Sequence, residues 1–146
     1  MNGIEFNIAE AKIILKNTPE VLNSLLHGLE EDWIRNNEGP NTWSPYDIIG
    51  HLIHGEKTDW IPRAKIILYE SDKHFIPFDR EAQKNNDQSI SIGTLLNEFR
   101  ELRQKNLEEL DSFSLTEKDL ELKGIHPEFG EVTLSQLIST WAGHDL

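Results

Sequence analysis

Ile92, Leu95, Leu96, Phe99, Leu102, Asn106, Leu107 and Leu110 follow one another at three- and four-residue spacing through a segment otherwise dominated by charge. A strand, with its period of two, cannot gather such positions on one face, whereas an amphipathic helix does. A second series runs through Ile8, Ile13, Ile14 and Leu15 and then Val21, Leu22, Leu25, Leu26 and Leu29. Helices that each bury one stripe must bury it against one another, so the chain is expected to be all-α.

Local signals divide the remaining chain. Thr18-Pro19-Glu20 reads as a cap, a first-turn proline and an acidic first turn, which predicts two pieces in the first helical region. Asn36 to Thr42 holds Gly39 and Pro40 and reads as a turn. Ser44 then caps a helix with Pro45 at its first position and Asp47 closing a capping box. That second helix is predicted from Pro45 to about Glu70, kinked at Pro62. Residues 71–90 read as a connection with a helical turn near Asp79 to Gln83. Asp119 to Ile125 and Glu131 to Val132 flank Gly124, Pro127 and Gly130 as arms of a small hairpin. Thr133 and Gln136 form the capping box of a last helix carrying Leu134, Leu137, Ile138 and Trp141. Long helices with moderate connections predict one domain over 1–146, an antiparallel four-helix bundle with a small hairpin or loop before its last helix.

Composition narrows the chemistry. Cysteine is absent, so a metal must be held by nitrogen and oxygen, and neither a disulfide nor a cysteine nucleophile is available. The 26 acidic residues against 14 basic ones give a net charge of -12, which repels phosphate backbones and anionic lipid. Nucleic acid and membrane are therefore not expected as partners. No apolar run approaches the roughly 18 residues of a membrane span, and the N-terminus lacks a signal-peptide pattern, so the expected location is cytoplasmic. The carboxylates are spread along the chain, as a solubilising surface requires, rather than gathered into an acidic metal cage.

Histidine placement supplies the candidate site. His51 lies three residues after Ile48, and His144 three after Trp141 and seven after Leu137, so both are expected to face the bundle interior. A buried imidazole there is either a hydrogen-bonded core residue or a metal ligand. His54, one turn after His51, is a substitute ligand or a surface residue, and Thr58 and Asp59 continue the same face. Glu56, Asp59, Trp60, Pro62 and Arg63 cluster on the second helix, where Asp59 and Arg63 have the spacing of a helix ion pair, with anion binding as the alternative. His126 precedes Pro127, where it overhangs the bundle mouth or stabilises a turn. His27 and His74 read as surface residues. No phosphate-cradling glycine loop, dinucleotide fingerprint or serine-hydrolase motif is present.

Trp43-Ser44-Pro45-Tyr46-Asp47-Ile48-Ile49-Gly50-His51-Leu52, then His126-Pro127-Glu128-Phe129-Gly130-Glu131-Val132-Thr133-Leu134, then Leu137-Ile138-Ser139-Thr140-Trp141-Ala142-Gly143-His144-Asp145-Leu146, resemble in order and spacing the DinB-like (DinB/YfiT) superfamily. The resemblance implies a four-helix bundle holding a divalent metal, Zn, Ni, Fe or Mn, through three histidines. His51 would be the first and His144 the second, and the third falls two residues past Leu146. It also implies a domain truncated within its last helix or working without that ligand, and a metal site that is weak or empty in this chain. Asp145, next to His144, points off the shared helix face. Two functions follow as expectations. One is a metal-dependent transferase or isomerase using a low-molecular-weight thiol of the bacillithiol or mycothiol type. The other is a non-catalytic metal- or ligand-binding bundle. A small-molecule ligand or thiol and a homodimer are the expected partners.

Overall fold

The computed structural model describes residues 5–146. Its long helices are α1 (Ile8–Leu26), α3 (Pro45–Thr58) continued by α4 (Trp60–Tyr69), α5 (Ile92–Ser112) and α7 (Leu134–His144). Short helices α2 (Glu31–Arg35) and α6 (Glu117–Leu120) and a 3-10 turn (Ala82–Asn85) lie in the connections, and strands β1 (Lys123–His126) and β2 (Gly130–Thr133) precede α7. α5 packs along α1 and α3, and α7 closes the bundle against α1 and α4. Among the described residues, no helix is long and apolar enough to cross a membrane.

The capping signals work as the sequence predicts. Ser44 with Asp47 and Thr133 with Gln136 each form a reciprocal capping box, satisfying amide groups that a helix start leaves unpaired. The hairpin pairs antiparallel, with Gly124 opposite Val132 and His126 opposite Gly130. Its first arm is shorter than predicted, because Thr116 and Asp119 form a capping box that winds Glu117–Leu120 into α6. The 71–90 connection joins the other edge of β1, where the Phe75 N–H donates to the Ile125 carbonyl at 2.9 Å and the Ile125 N–H to the Lys73 carbonyl at 2.8 Å. Gly124 permits that approach, since a Cβ there would stand 2.3 Å from the Phe75 ring.

Both proline expectations need correction. α1 runs unbroken with Pro19 inside it. Proline has no N–H for the carbonyl four residues back, and here that carbonyl, Leu15 O, accepts from Arg103 Nη1 at 2.8 Å. The second helix is not kinked at Pro62 but interrupted at Asp59, with φ -106° and ψ -74°, so that Pro62 sits in the first turn of α4. The proline ring crowds the turn before it, which places the break upstream of the proline itself.

Two apolar clusters form the core. Leu15, Ile61, Ile67, Leu110, Leu134, Ile138 and Trp141 lie in one, and Ile34, Ile49, Ile53, Leu95, Leu96 and Phe99 in the other. Periodicity overstated burial at several positions: Ile13, Val21, Leu25, Leu29 and Ile48 are exposed. Ile48 therefore does not mark the inward side of α3, although His51 is buried.

Candidate metal centre

His51 stands on the middle turn of α3 and His144 at the last residue of α7. Packing of these helices through α4 brings the two Nε2 atoms to 3.3 Å. Two imidazoles bound to one tetrahedral zinc at ~2.0–2.1 Å hold their nitrogens about 3.3–3.4 Å apart, so the pair fits a shared cation. The His51 ring is held between Trp43, at 4.7 Å between centroids, and Phe78, at 5.4 Å. Trp60 lies 5.5 Å from the His144 ring and stacks on Trp141.

Electrostatics keep both imidazoles available as neutral donors. Burial lowers the His51 pKa, the neighbouring His144 adds to this, and the Arg80 backbone opposes them. His144 is exposed, not buried as its spacing predicts, although it lines the cavity, and partial desolvation there still lowers its pKa, against the raising influence of Asp145 and Glu56. Nδ1 of His51 is buried without a formed hydrogen bond. In a ligating histidine that nitrogen carries the proton and seeks an acceptor, and the Arg80 backbone is the group at hand.

Behind His144 lies a buried polar cluster. Arg103 donates through Nε to Glu56 Oε1 at 2.9 Å and through Nη1 to Asp145 Oδ2 at 2.6 Å. Glu56 also accepts from Trp141 Nε1 at 3.0 Å and Asn106 Nδ2 at 2.8 Å, and Asp145 from Thr18 Oγ1 at 2.6 Å. The side chains of Arg103, Glu56 and Asp145 are 1–2% exposed. Burial works to lower the Arg103 guanidinium, but the hydrogen bonds and charges of Asp145 and Glu56 leave it raised. Asp145 thus points away from the histidine pair, and its bond to Arg103 ties down the turn that carries His144. Sequence reasoning missed this cluster, although the register was available: Arg103 follows Phe99 by four residues and Asn106 precedes Leu110 by four, both on the apolar stripe of α5.

The remaining candidates separate. His54 turns outward, its ring 4.9 Å from Phe78 and its Nε2 3.5 Å from Thr58 Oγ1, which itself donates to the His54 carbonyl at 2.9 Å. Neither residue lines the cavity beside His51 and His144. Asp59 does, in an ion pair with Arg63 at 2.6 Å whose groups are close without hydrogen-bond alignment. Burial raises the Asp59 carboxyl, against the lowering influence of Arg63. His126 lines the mouth, and its Nδ1 accepts from the Glu128 and Phe129 N–H groups at 3.1 and 3.3 Å, so it also holds the hairpin turn. His74 is exposed and pairs with Asp72 at 2.6 Å. Among the described residues, no group of three His, Asp or Glu side chains converges on one point.

The two histidines open onto a cavity of about 370 Å³, within the range of small-molecule sites. Its walls include Phe75, Phe78, Phe129, Val132 and Leu137. The DinB superfamily model matches residues 14–146. The chain belongs to the DinB superfamily. Among solved structures it resembles YfiT from Bacillus subtilis, described as a probable metal-dependent hydrolase with an unusual four-helix bundle topology. The two share 18% identity and superpose with a TM-score of 0.82 over 99% of this chain and 83% of that one. At that identity the likeness establishes the four-helix bundle. No curated protein matches the sequence.

Proposed function

We propose that this DinB-superfamily chain is a divalent-metal-dependent enzyme that directs a nucleophile, water or a low-molecular-weight thiol, at a small organic molecule in the cavity. The observation that carries the reading is the 3.3 Å approach of His51 Nε2 and His144 Nε2 on the cavity wall. A bound zinc, nickel, iron or manganese ion supplies Lewis acidity and favours the deprotonated form of water or thiol at neutral pH. His51 and His144 would hold it as neutral donors, consistent with the lowered pKa of each. Trp43 and Phe78 restrict the His51 ring. Arg103, through Asp145, restrains the end of α7. The aromatic walls limit water around the reacting groups. Because the chain has no cysteine, a thiol must arrive as cosubstrate.

One observation favours a second reading, a non-catalytic metal- or ligand-binding bundle: no third ligand converges among the described residues. Elemental analysis of protein equilibrated with zinc, nickel and manganese tests the shared premise, with His51→Ala and His144→Ala as comparisons. Each substitution should lower affinity at least about 100-fold, since even outer partners of metal ligands contribute 10–100-fold. A chain carrying a histidine four residues after His144 should bind more tightly than the sequence as it stands. Loaded protein is then assayed for ester hydrolysis and for thiol addition to a generic electrophile. Turnover lost in both alanine variants supports the enzyme. Metal binding without turnover favours the second reading, and no metal binding in any form defeats the enzyme and leaves only the ligand-binding form of the second.

A further inference from the structure

The cavity wall carries a positive charge with which no acidic side chain pairs among the described residues. Four of the five arginines, Arg35, Arg63, Arg100 and Arg103, lie in ion pairs with Glu or Asp. Arg80 has no such pair among the described residues, in a chain with 26 acidic residues against 14 basic ones. Its flanking acids are engaged elsewhere: Asp79 Oδ1 accepts from the Glu81 N–H at 3.0 Å, and the Glu81 carboxylate pairs with Lys84. Arg80 lines the same cavity as His51 and His144. Of the other charged groups on the wall, Asp59 and Arg63 neutralise each other, and Glu128 sits exposed at the mouth. The remaining surface is largely apolar.

A guanidinium presents several N–H donors in a planar fork that matches a carboxylate. We infer that the cavity selects small organic carboxylates, with the acid group meeting Arg80 and an apolar body lying against Phe78 and Phe129. The inference names a substrate class for the proposed enzyme and rests on this cavity being its working site.

Binding to metal-free protein in the presence of a chelator tests it, because a carboxylate could otherwise ligate the metal. Benzoate and the neutral benzamide are titrated at low salt, followed by amide NMR shifts of the cavity residues Gln136 and Thr140. Benzoate should bind at least tenfold more tightly than benzamide, and added salt should erode the difference. Arg80→Ala should abolish the preference and Arg80→Lys retain part of it. Arg80 is exposed and its side chain makes no hydrogen bond among the described residues, so these variants leave the packing intact. Equal affinity for the two probes, a preference that survives in Arg80→Ala, or binding of neither probe would overturn the inference. Metal uptake by wild type and Arg80→Ala is measured separately. Failure of metal binding with the benzoate preference intact defeats the enzyme reading and leaves the carboxylate site standing.

Discussion

Replacing Arg103 with methionine should show how strongly the bundle depends on its buried charges. The guanidinium joins Glu56 and Asp145, both about 1% exposed at the side chain, and also serves the Leu15 carbonyl. Methionine fills comparable space between Phe99 and Trp141 but makes none of these bonds. Breaking a buried ion pair costs about 3–5 kcal/mol, because the abandoned charge stays in low dielectric. An unpaired buried carbonyl adds about 1–3 kcal/mol. The expected loss is therefore about 4–8 kcal/mol, comparable to the ~5–15 kcal/mol by which ordinary domains are stable. Urea unfolding followed by the fluorescence of the core residues Trp60 and Trp141 measures it. With m near 1–3 kcal/mol/M, the midpoint should fall by about 1.3 M or more, or folding should fail outright. The triple variant Arg103→Met, Glu56→Gln, Asp145→Asn removes the stranded charges and should recover about half of the loss. A loss below about 1.5 kcal/mol in the single variant, or no recovery in the triple, would refute the reasoning, the latter pointing to packing instead of charge.

Gly124→Ala should destabilise by at least about 1–3 kcal/mol, because the new methyl meets Phe75 at 2.3 Å and Ile67 at 2.9 Å, and crystallography or NMR should show Phe75 displaced from the cavity wall. Thr18→Val should cost about 1–3 kcal/mol in the same urea assay, since the charged Asp145 Oδ2 loses one of its two 2.6 Å donors in a buried setting and keeps only Arg103 Nη1. Burial and the nearby Arg63 lower the His126 pKa from its ordinary 6.5. The resulting stabilisation is fully present above pH 6.5 and lost as pH falls from there through the folded-state pKa. Acidification through that window should therefore lower the protection factors, exchange rates corrected for the base-catalysed intrinsic rate, at the Glu128 and Phe129 amides, which donate to His126 Nδ1; a ring that titrates at or above 6.5 by NMR would contradict this.

Much of the fold was legible locally. The stripe of α5 and the boxes at Ser44 and Thr133 are set by interactions within a few residues, and those elements form where the sequence places them. The hairpin was legible from its glycines and Pro127, though α6 took over part of its first arm. Spacing places both His51 and His144 inward, but His51 is buried while His144 stays exposed where it lines the cavity, and only the approach of α3 and α7 sets the 3.3 Å between them. His54 shares the helix and the spacing, yet its ring turns toward Thr58 and Phe78.

Local sequence patterns establish that this chain is a bundle of helices, where most of them start, and that any metal must be held without thiolate from the chain itself. Tertiary contacts set what happens at Pro19, whereas the break near Pro62 follows from the proline ring crowding the turn before it. At Pro19 the helix continues, because Arg103, distant in sequence, reaches the carbonyl that the proline leaves free. At Pro62 the chain breaks upstream, at Asp59. Tertiary packing also sets which charges are buried, drawing Glu56, Arg103 and Asp145 together and leaving Arg80 at the cavity with no ion pair among the described residues. Hydrogen-bond satisfaction and desolvation depend on neighbours brought together by folding, so no local pattern of residues encodes them.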